Sequence, residues 1–429
     1  MKTALITGGL GFIGSNIVKQ LLEKKIVRKC ILLDSFTGYV NPLKDNYADF
    51  RKLRFSNFKK IVVERGDAKD FSLVYKILKN YKPEYIFHTA AVPLAKIDNL
   101  NAKEAKEGSI DTTTNILEAV NFLNNNIKKN NLKRFIYFSS SMVYGDFKKK
   151  KAYENDELKP KEVYGSMKLA GEIITKGLCG FYNIPYTIIR PSAVYGPTDM
   201  NNRVTQIFIN KAFKGETINI QGKNEKLDFT FVEDLTNGAI KAGIHNNGIN
   251  QTFNITNGKA ETLFKFVKIL QKHFKNLKYK ISNRDSFRPK RGTLSIFKAK
   301  KLIKYKPNYS LEKGIHKYIN FLKTIKKNYL FIKIKSFSLF ETFSFKLYTI
   351  IFLLDSLSNN LNFFLSNNFQ PKKLYIFILS FLHSKKENLF FFLIIELLNL
   401  IIFFKIGKFL YFFFKINVSK FKYFFIFFF

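Results

Sequence analysis

Three glycines set the terms on which this chain can fold. Gly8, Gly11 and Gly14 follow the apolar run Ala4 to Ile6 and precede an amphipathic stretch from Phe12 to Lys24. That order predicts a buried strand, a glycine turn and a helix packed back on the strand. Gly8 suits a tight turn, Gly11 leaves room for a pyrophosphate against the backbone, and Gly14 lets helix and strand approach. The first-turn N–H groups around Phe12 and Ile13 lack intrahelical partners and lie at the positive end of the helix dipole, so they suit phosphate oxygens. A second apolar run, Cys30 to Leu33, ends in Asp34. A carboxylate about 20 residues after such glycines accepts hydrogen bonds from ribose hydroxyls and repels a 2′-phosphate. The pair of features points to NAD rather than NADP.

Strand and helix patterns then alternate. Lys60 to Glu64, Pro83 to Phe87, Lys133 to Phe138 and Tyr186 to Arg190 are predicted strands; Phe71 to Asn80, Ala102 to Leu123 and Val163 to Gly180 are predicted helices. The fold class is α/β, a Rossmann-type doubly wound parallel sheet over residues 1–190. Asp67, after the third strand, is placed to meet the adenine amino group. Ala90, after the fourth, lets the backbone lie against a cofactor. His88 reads as a packed polar residue with no catalytic role. Residues 191–330 have longer loops and short segments, Thr217 to Gln221, Asp228 to Val232 and Gln251 to Ile255. They are expected to form a smaller mixed α/β substrate-binding region, interleaved with the first.

Residues 331–429 form a low-complexity apolar tail that contains about half of the 49 Phe, no Ala and a single glycine, Gly407. Its longest apolar run, Asn388 to Phe404, is interrupted by Glu396 and is borderline for a membrane span. Two readings stay open: a membrane-associated segment with lysines at the interface, or an unstructured extension reflecting A/T-rich coding sequence.

The net charge of +40 invites a nucleic-acid reading, but the lysines are spread along the chain without a patch of interleaved aromatics. No nucleic-acid partner is expected. The charge does provide a positive field for anionic sugar nucleotides. Cys30 and Cys179 show no metal spacing, so no metal is expected. Two cysteines and an N-terminus that leads straight into a strand fit a cytoplasmic protein.

The chemistry centres on Tyr164 and Lys168, which lie on one helical face. A free phenol ionises near pH 10, about three units above neutrality. A neighbouring ammonium and a nicotinamide cation favour the phenolate, so Tyr164 can take a sugar hydroxyl proton while Lys168 also holds the nicotinamide ribose. Ser140, after the fifth strand, can hydrogen-bond the reacting oxygen.

As a set, these motifs resemble the extended short-chain dehydrogenase/reductase family, the nucleotide-sugar epimerases and dehydratases. The matching stretches are Thr7 to Gly14, Asp34, Gly66-Asp67, His88 to Ala91, Ser139 to Gly145, Tyr164 to Lys168, Arg190 to Pro197 and Asp228 to Asp234. The resemblance covers residues 1 to about 325. It implies bound NAD, a UDP- or dTDP-type sugar, and Ser140, Tyr164 and Lys168 as the catalytic set. It places Pro191 and Ser192 near the nicotinamide, Ser141 beside the substrate, and Arg203 and Arg291 around the nucleotide diphosphate. It also implies a homodimer through a helical bundle that includes the Tyr164 helix. Departures bear on the reaction. The family's 4,6-dehydratases and decarboxylases carry acids where this chain has Ser141 and Met142, so a redox-only C4 epimerisation, like that of UDP-glucose 4-epimerase, is expected. Leu227 replaces a common Arg beside Lys226, and Ser109 a common Asn. The rivals are a 4,6-dehydratase, a UDP-glucuronate decarboxylase, a reductase consuming the cofactor, and a non-catalytic NAD-binding scaffold. Retention of Ser140, Tyr164 and Lys168 argues against the scaffold.

Overall fold

The structure is a computed structural model and describes residues 2–36, 59–91, 102–126, 132–199 and 203–325. The expectations for Thr37 to Tyr39 and for residues 331–429 lie outside the described residues. The chain divides into two units, 1–329 and 330–429, and the fold that follows belongs to the first.

Seven strands build one sheet: β1 Thr3–Thr7, β2 Lys29–Asp34, β3 Ile61–Arg65, β4 Tyr85–His88, β5 Arg134–Phe138, β6 Tyr186–Arg190 and β7 Gln251–Asn254. Their spatial order is β7-β6-β5-β4-β1-β2-β3, and every neighbouring pair is parallel. Parallel strands carry helices on both faces, so each strand is buried on both sides and reads as an apolar run. Leu5, Ile31, Ile86, Phe135 and Ile188 face α2 (Phe71–Tyr81) and α3 (Thr112–Asn126) through Val74, Ile77, Ile116 and Val120. Ile6, Leu32, Phe87, Ile136, Ile189 and Phe253 face α1 (Phe12–Glu23) and α6 (Val232–Ile244) through Ile17, Val18, Leu235 and Ile240. Each such side chain contributes about 1.5–3 kcal/mol when fully buried. An exposed ion pair such as Lys148–Glu157 contributes at most about 1 kcal/mol. The sheet is therefore held by its two apolar faces, not by its many surface lysines.

The structure departs from the predicted elements in three places. The predicted helix from Ala102 to Leu123 is broken: a short helix, Ala102–Lys106, passes through a π-turn, Glu107–Asp111, into α3. The Thr112 and Thr113 hydroxyls donate to the carbonyls of Gly108 and Ser109, at 3.1 and 2.7 Å, and such back-bonding competes with a regular helical ladder. Gln251–Asn254 does not stand apart with the later residues but pairs with β6 as the outermost strand of the main sheet. Within Asp228 to Val232 only Thr230–Phe231 is extended, paired with Val194–Tyr195, and Val232 opens α6. Beyond the sheet, Tyr195, Phe208, Ile209, Ile218, Ile220, Phe229 and Phe266 form a separate core. It gathers side chains of α5 (Val204–Lys214), of the helix Leu263–His273 and of the helical residues 311–325. Among the described residues no helix is long and apolar enough to cross a membrane.

Candidate active site

The strand order reverses between β1 and β4, and ligands of such sheets bind beyond the carboxyl ends of the strands at that point. Gly8 leaves β1 with a φ of +65°, a left-handed conformation that costs a side-chain-bearing residue free energy. Its N–H donates to the Leu33 carbonyl at 2.8 Å. A Cβ on Gly14 would stand 2.3 Å from the Gly8 carbonyl oxygen, so the start of α1 sits directly on the glycine turn. Gly11 is the N-cap of α1, and no side chain caps that end. The first turn, with Phe12 and Ile13, therefore keeps N–H groups for an anion. The Asp34 carboxylate accepts from Leu10 N and Phe36 N, each at 2.9 Å. These bonds lock the glycine turn to the end of β2 and leave lone pairs for ribose hydroxyls, since a carboxylate offers about four acceptor sites. Asp67 stands exposed after β3 and accepts from Lys69 N. Ala90 lies against Gly8: a Cβ there would meet the Ala90 backbone at 3.0 Å.

The second group of candidates collects at the ends of β5 and β6. Ser140 caps a 3-10 turn, Ser141–Tyr144, by accepting from Met142 N. Its hydroxyl also stands near enough to the Tyr164 phenol to favour the ionised form. Ser141 N donates to the Pro191 carbonyl at 2.8 Å, which fastens the end of β5 to the end of β6. Tyr164 and Lys168 open α4 (Val163–Phe181), which Glu162 caps by accepting from Gly165 N. Lys168 is buried at 4% exposure. Its Nζ donates to the Phe138 carbonyl at 2.9 Å and lies 5.3 and 6.0 Å from the Tyr137 and Tyr164 ring centroids. The structure thus brings Ser140, Tyr164, Lys168, Ser141 and Pro191 together.

Burial enters the electrostatics of the site beside the charges. Tyr164 is not lowered by its lysine in the polypeptide itself. Burial pushes the phenol up, the Arg203 charge and the Ser140 hydroxyl pull against that, and Glu162 adds to it. Burial brings Lys168 down to about 7, with the Glu172 carboxylate opposing. Half-charged near neutrality, Lys168 is a weaker promoter of the phenolate than a full ammonium would be. Arg203 opens α5, and its charge reaches both Tyr164 and Arg291. Arg291 is brought down to about 10, chiefly by burial and then by Arg288. Arg203 and Arg288 are thus both within electrostatic reach of Arg291, and Arg203 of Tyr164 as well. Leu227 instead packs into the second core, and Lys226 beside it is exposed.

A model of the NAD dependent epimerase/dehydratase family matches residues 4–256. The chain belongs to that family. Among solved structures it is similar to a UDP-glucuronic acid 4-epimerase from Bacillus cereus in complex with UDP-glucuronic acid and NAD. That likeness has 25% identity and a TM-score of 0.67, and covers 75% of this chain and 99% of that one. A UDP-glucose 4-epimerase from Thermotoga maritima with UDP-glucose gives 25% identity, a TM-score of 0.64 and the same coverage. A dTDP-D-glucose 4,6-dehydratase from Dictyostelium discoideum is 27% identical over 55% of this chain and 54% of its own length. The family's cofactor is NAD, and the residues here fit it. The glycine turn leaves the space that side chains would fill, the N-terminus of α1 is uncapped, and the buried Ser192 hydroxyl beside Pro191 has no protein partner among the described residues. Among those residues no cluster of His, Cys, Asp or Glu could hold a metal ion.

Two functional neighbours escaped the sequence reading. Glu172 and Arg190 form a buried ion pair beneath the site, 0 and 1% exposed, with Arg190 Nη2 2.7 Å from Glu172 Oε2. Glu172 follows Lys168 by one helical turn, a spacing visible in the sequence, but its partner on β6 is not. His88 carries a consequence for stability. Its Nδ1 lies 2.7 Å from Thr7 Oγ1 and its Nε2 3.1 Å from Thr113 Oγ1. Burial, and then the Lys168 charge, hold its pKa down at about 3. The unfolded chain binds a proton below about pH 6.5 that the folded chain refuses. Stability is thus complete above that value and is lost as pH falls toward 3, by about 2 kcal/mol at pH 5. The drop in melting temperature between pH 7 and pH 5 should shrink in His88→Gln, whose amide stays neutral. An unchanged drop would show that other groups set the acid sensitivity.

Proposed function

We propose that the chain epimerises a nucleotide-diphosphate sugar at C4 through a transient 4-keto sugar, in the manner of UDP-glucose 4-epimerase. The observation that carries this reading is the convergence of Ser140 and Tyr164 on a buried Lys168, with Ser141 and Met142 where an eliminating enzyme needs an acid. Bound NAD supplies a reversible acceptor for the hydrogen on the sugar carbon. Tyr164 takes the C4 hydroxyl proton and returns it to the epimer, and Ser140 holds the reacting oxygen by hydrogen bonding. Burial favours the protonated phenol, while Arg203 already opposes that; each further positive charge at the ring favours the phenolate. Arg203 and Arg291 hold the diphosphate while the sugar turns. Glu162, the carboxylate that acts on both Tyr164 and Arg291, is engaged as the α4 cap, which supports epimerisation over loss of water. A homodimer is part of the reading. Phe122 on α3 and Ile173 and Phe181 on α4 are 49, 63 and 81% exposed, and a bundle with a second copy would cover them.

Isotope retention tests the reaction. A nucleotide sugar with deuterium at C4 should give an epimer that keeps the label, and solvent deuterium should not enter at that carbon. Washout of the label would exclude a hydrogen held within the site and overturn the reading.

A further inference from the structure

We propose that Glu172 is a positioning residue: from beneath the site, one buried carboxylate fixes the strand end carrying Ser140, the strand end carrying Pro191 and the helix carrying Tyr164 and Lys168. The proposal rests on the reading of Ser140, Tyr164 and Lys168 as the reacting set. Glu172 Oε1 accepts from the Ser139 hydroxyl at 2.5 Å and from Arg190 Nε at 2.9 Å, and Oε2 accepts from Arg190 Nη2 at 2.7 Å. Ser139 precedes Ser140, and Arg190 precedes Pro191. Arg190 in turn donates to the Tyr144 hydroxyl at 2.9 Å and to the Glu154 carbonyl at 3.0 Å, so the guanidinium is held by four hydrogen bonds to three residues. A surface carboxylate could not do this. The low local dielectric makes the fully satisfied network rigid and makes a partly satisfied one costly.

The same carboxylate acts on charge. Lys168 is faced by Glu172 and Tyr164 from its own helix, by Tyr137 and the Phe138 carbonyl from β5, and by His88 from β4. His88 is neutral above about pH 3, and burial keeps the Tyr137 phenol protonated well past the ordinary range. Glu172 is the negative group that favours the Lys168 ammonium. Its neutralisation would also leave Arg190 as an unpaired buried cation, which pushes Lys168 further toward the amine.

The test compares the wild-type full-length chain with Glu172→Gln and Glu172→Asp. Glu172→Gln should lower kcat with little change in KM, and its kcat should decline with rising pH at a lower pH than in wild type, by about one unit. Glu172→Asp keeps the charge but withdraws it by one methylene, so kcat should fall while the pH profile stays near wild type. Ultraviolet titration against a Tyr164→Phe background reads the Tyr164 phenol without any sugar, and its midpoint should move in Glu172→Gln. Wild-type kcat in both variants would overturn the proposal, as would an unmoved pH profile and phenol titration in Glu172→Gln. If Glu172→Gln fails to fold, Glu172→Asp decides: wild-type kcat overturns the proposal and reduced kcat supports it. Absence of turnover in the wild type with every nucleotide sugar would instead sink the functional reading, while the phenol titration still judges Glu172.

Discussion

Tyr164→Phe should lose about 10²–10⁴-fold in turnover, the range general acid–base groups supply, and should keep its NAD. The substitution removes one hydroxyl, which lies near Ser140, and leaves the ring over Lys168. The glycine turn, Asp34 and Ala90 are untouched, so cofactor content measured after denaturation should match wild type. The melting temperature should move little, because a single hydrogen bond contributes about 0.5–1.5 kcal/mol net. Retained turnover would assign the proton transfer to another group. Ser140→Ala should lose less, since Ser140 shares the proton and does not carry it alone.

Gly14→Val should abolish cofactor retention. The added Cβ would stand 2.3 Å from the Gly8 carbonyl oxygen and 2.9 Å from the Gly9 Cα, and backbone cannot swing aside as a flexible side chain can. The start of α1 must move away from the turn, and the uncapped first-turn N–H groups move with it. Overpacking of this kind costs about 1–3 kcal/mol, and every 1.4 kcal/mol is tenfold in affinity. A loss of about 100-fold in NAD affinity is therefore expected even where the protein folds. Calorimetric titration with NAD measures it directly. Unchanged affinity would mean that phosphate is held elsewhere than at the glycine turn.

The parts of this account legible in the sequence are those written in consecutive residues. Gly8 to Gly14 carries its own geometry, because close approach of backbone to backbone demands glycine locally. The buried strands were visible because parallel strands covered on both faces are apolar throughout. Tyr164 and Lys168 were visible because helical spacing places them on one face. What depends on distant partners was not. Nothing in Gln251 to Asn254 states that it pairs with β6, and nothing in Glu172 states that it meets Arg190 and Ser139. The π-turn at Glu107–Asp111 interrupts a stretch whose apolar spacing alone reads as one helix. The raised Tyr164 phenol is not legible in the sequence for a related reason: burial is a property of the assembled site, and here it outweighs Arg203 and Ser140.

The proposed reaction changes neither mass nor oxidation state. The full-length chain, supplied with NAD, should be incubated with UDP- and dTDP-sugars, and the products followed by mass spectrometry and proton NMR. A product of unchanged mass whose ring couplings report inversion at C4 is expected. A product that has lost water or carbon dioxide would contradict the proposed reaction, and would show that Ser141 and Met142 do not exclude elimination on this scaffold.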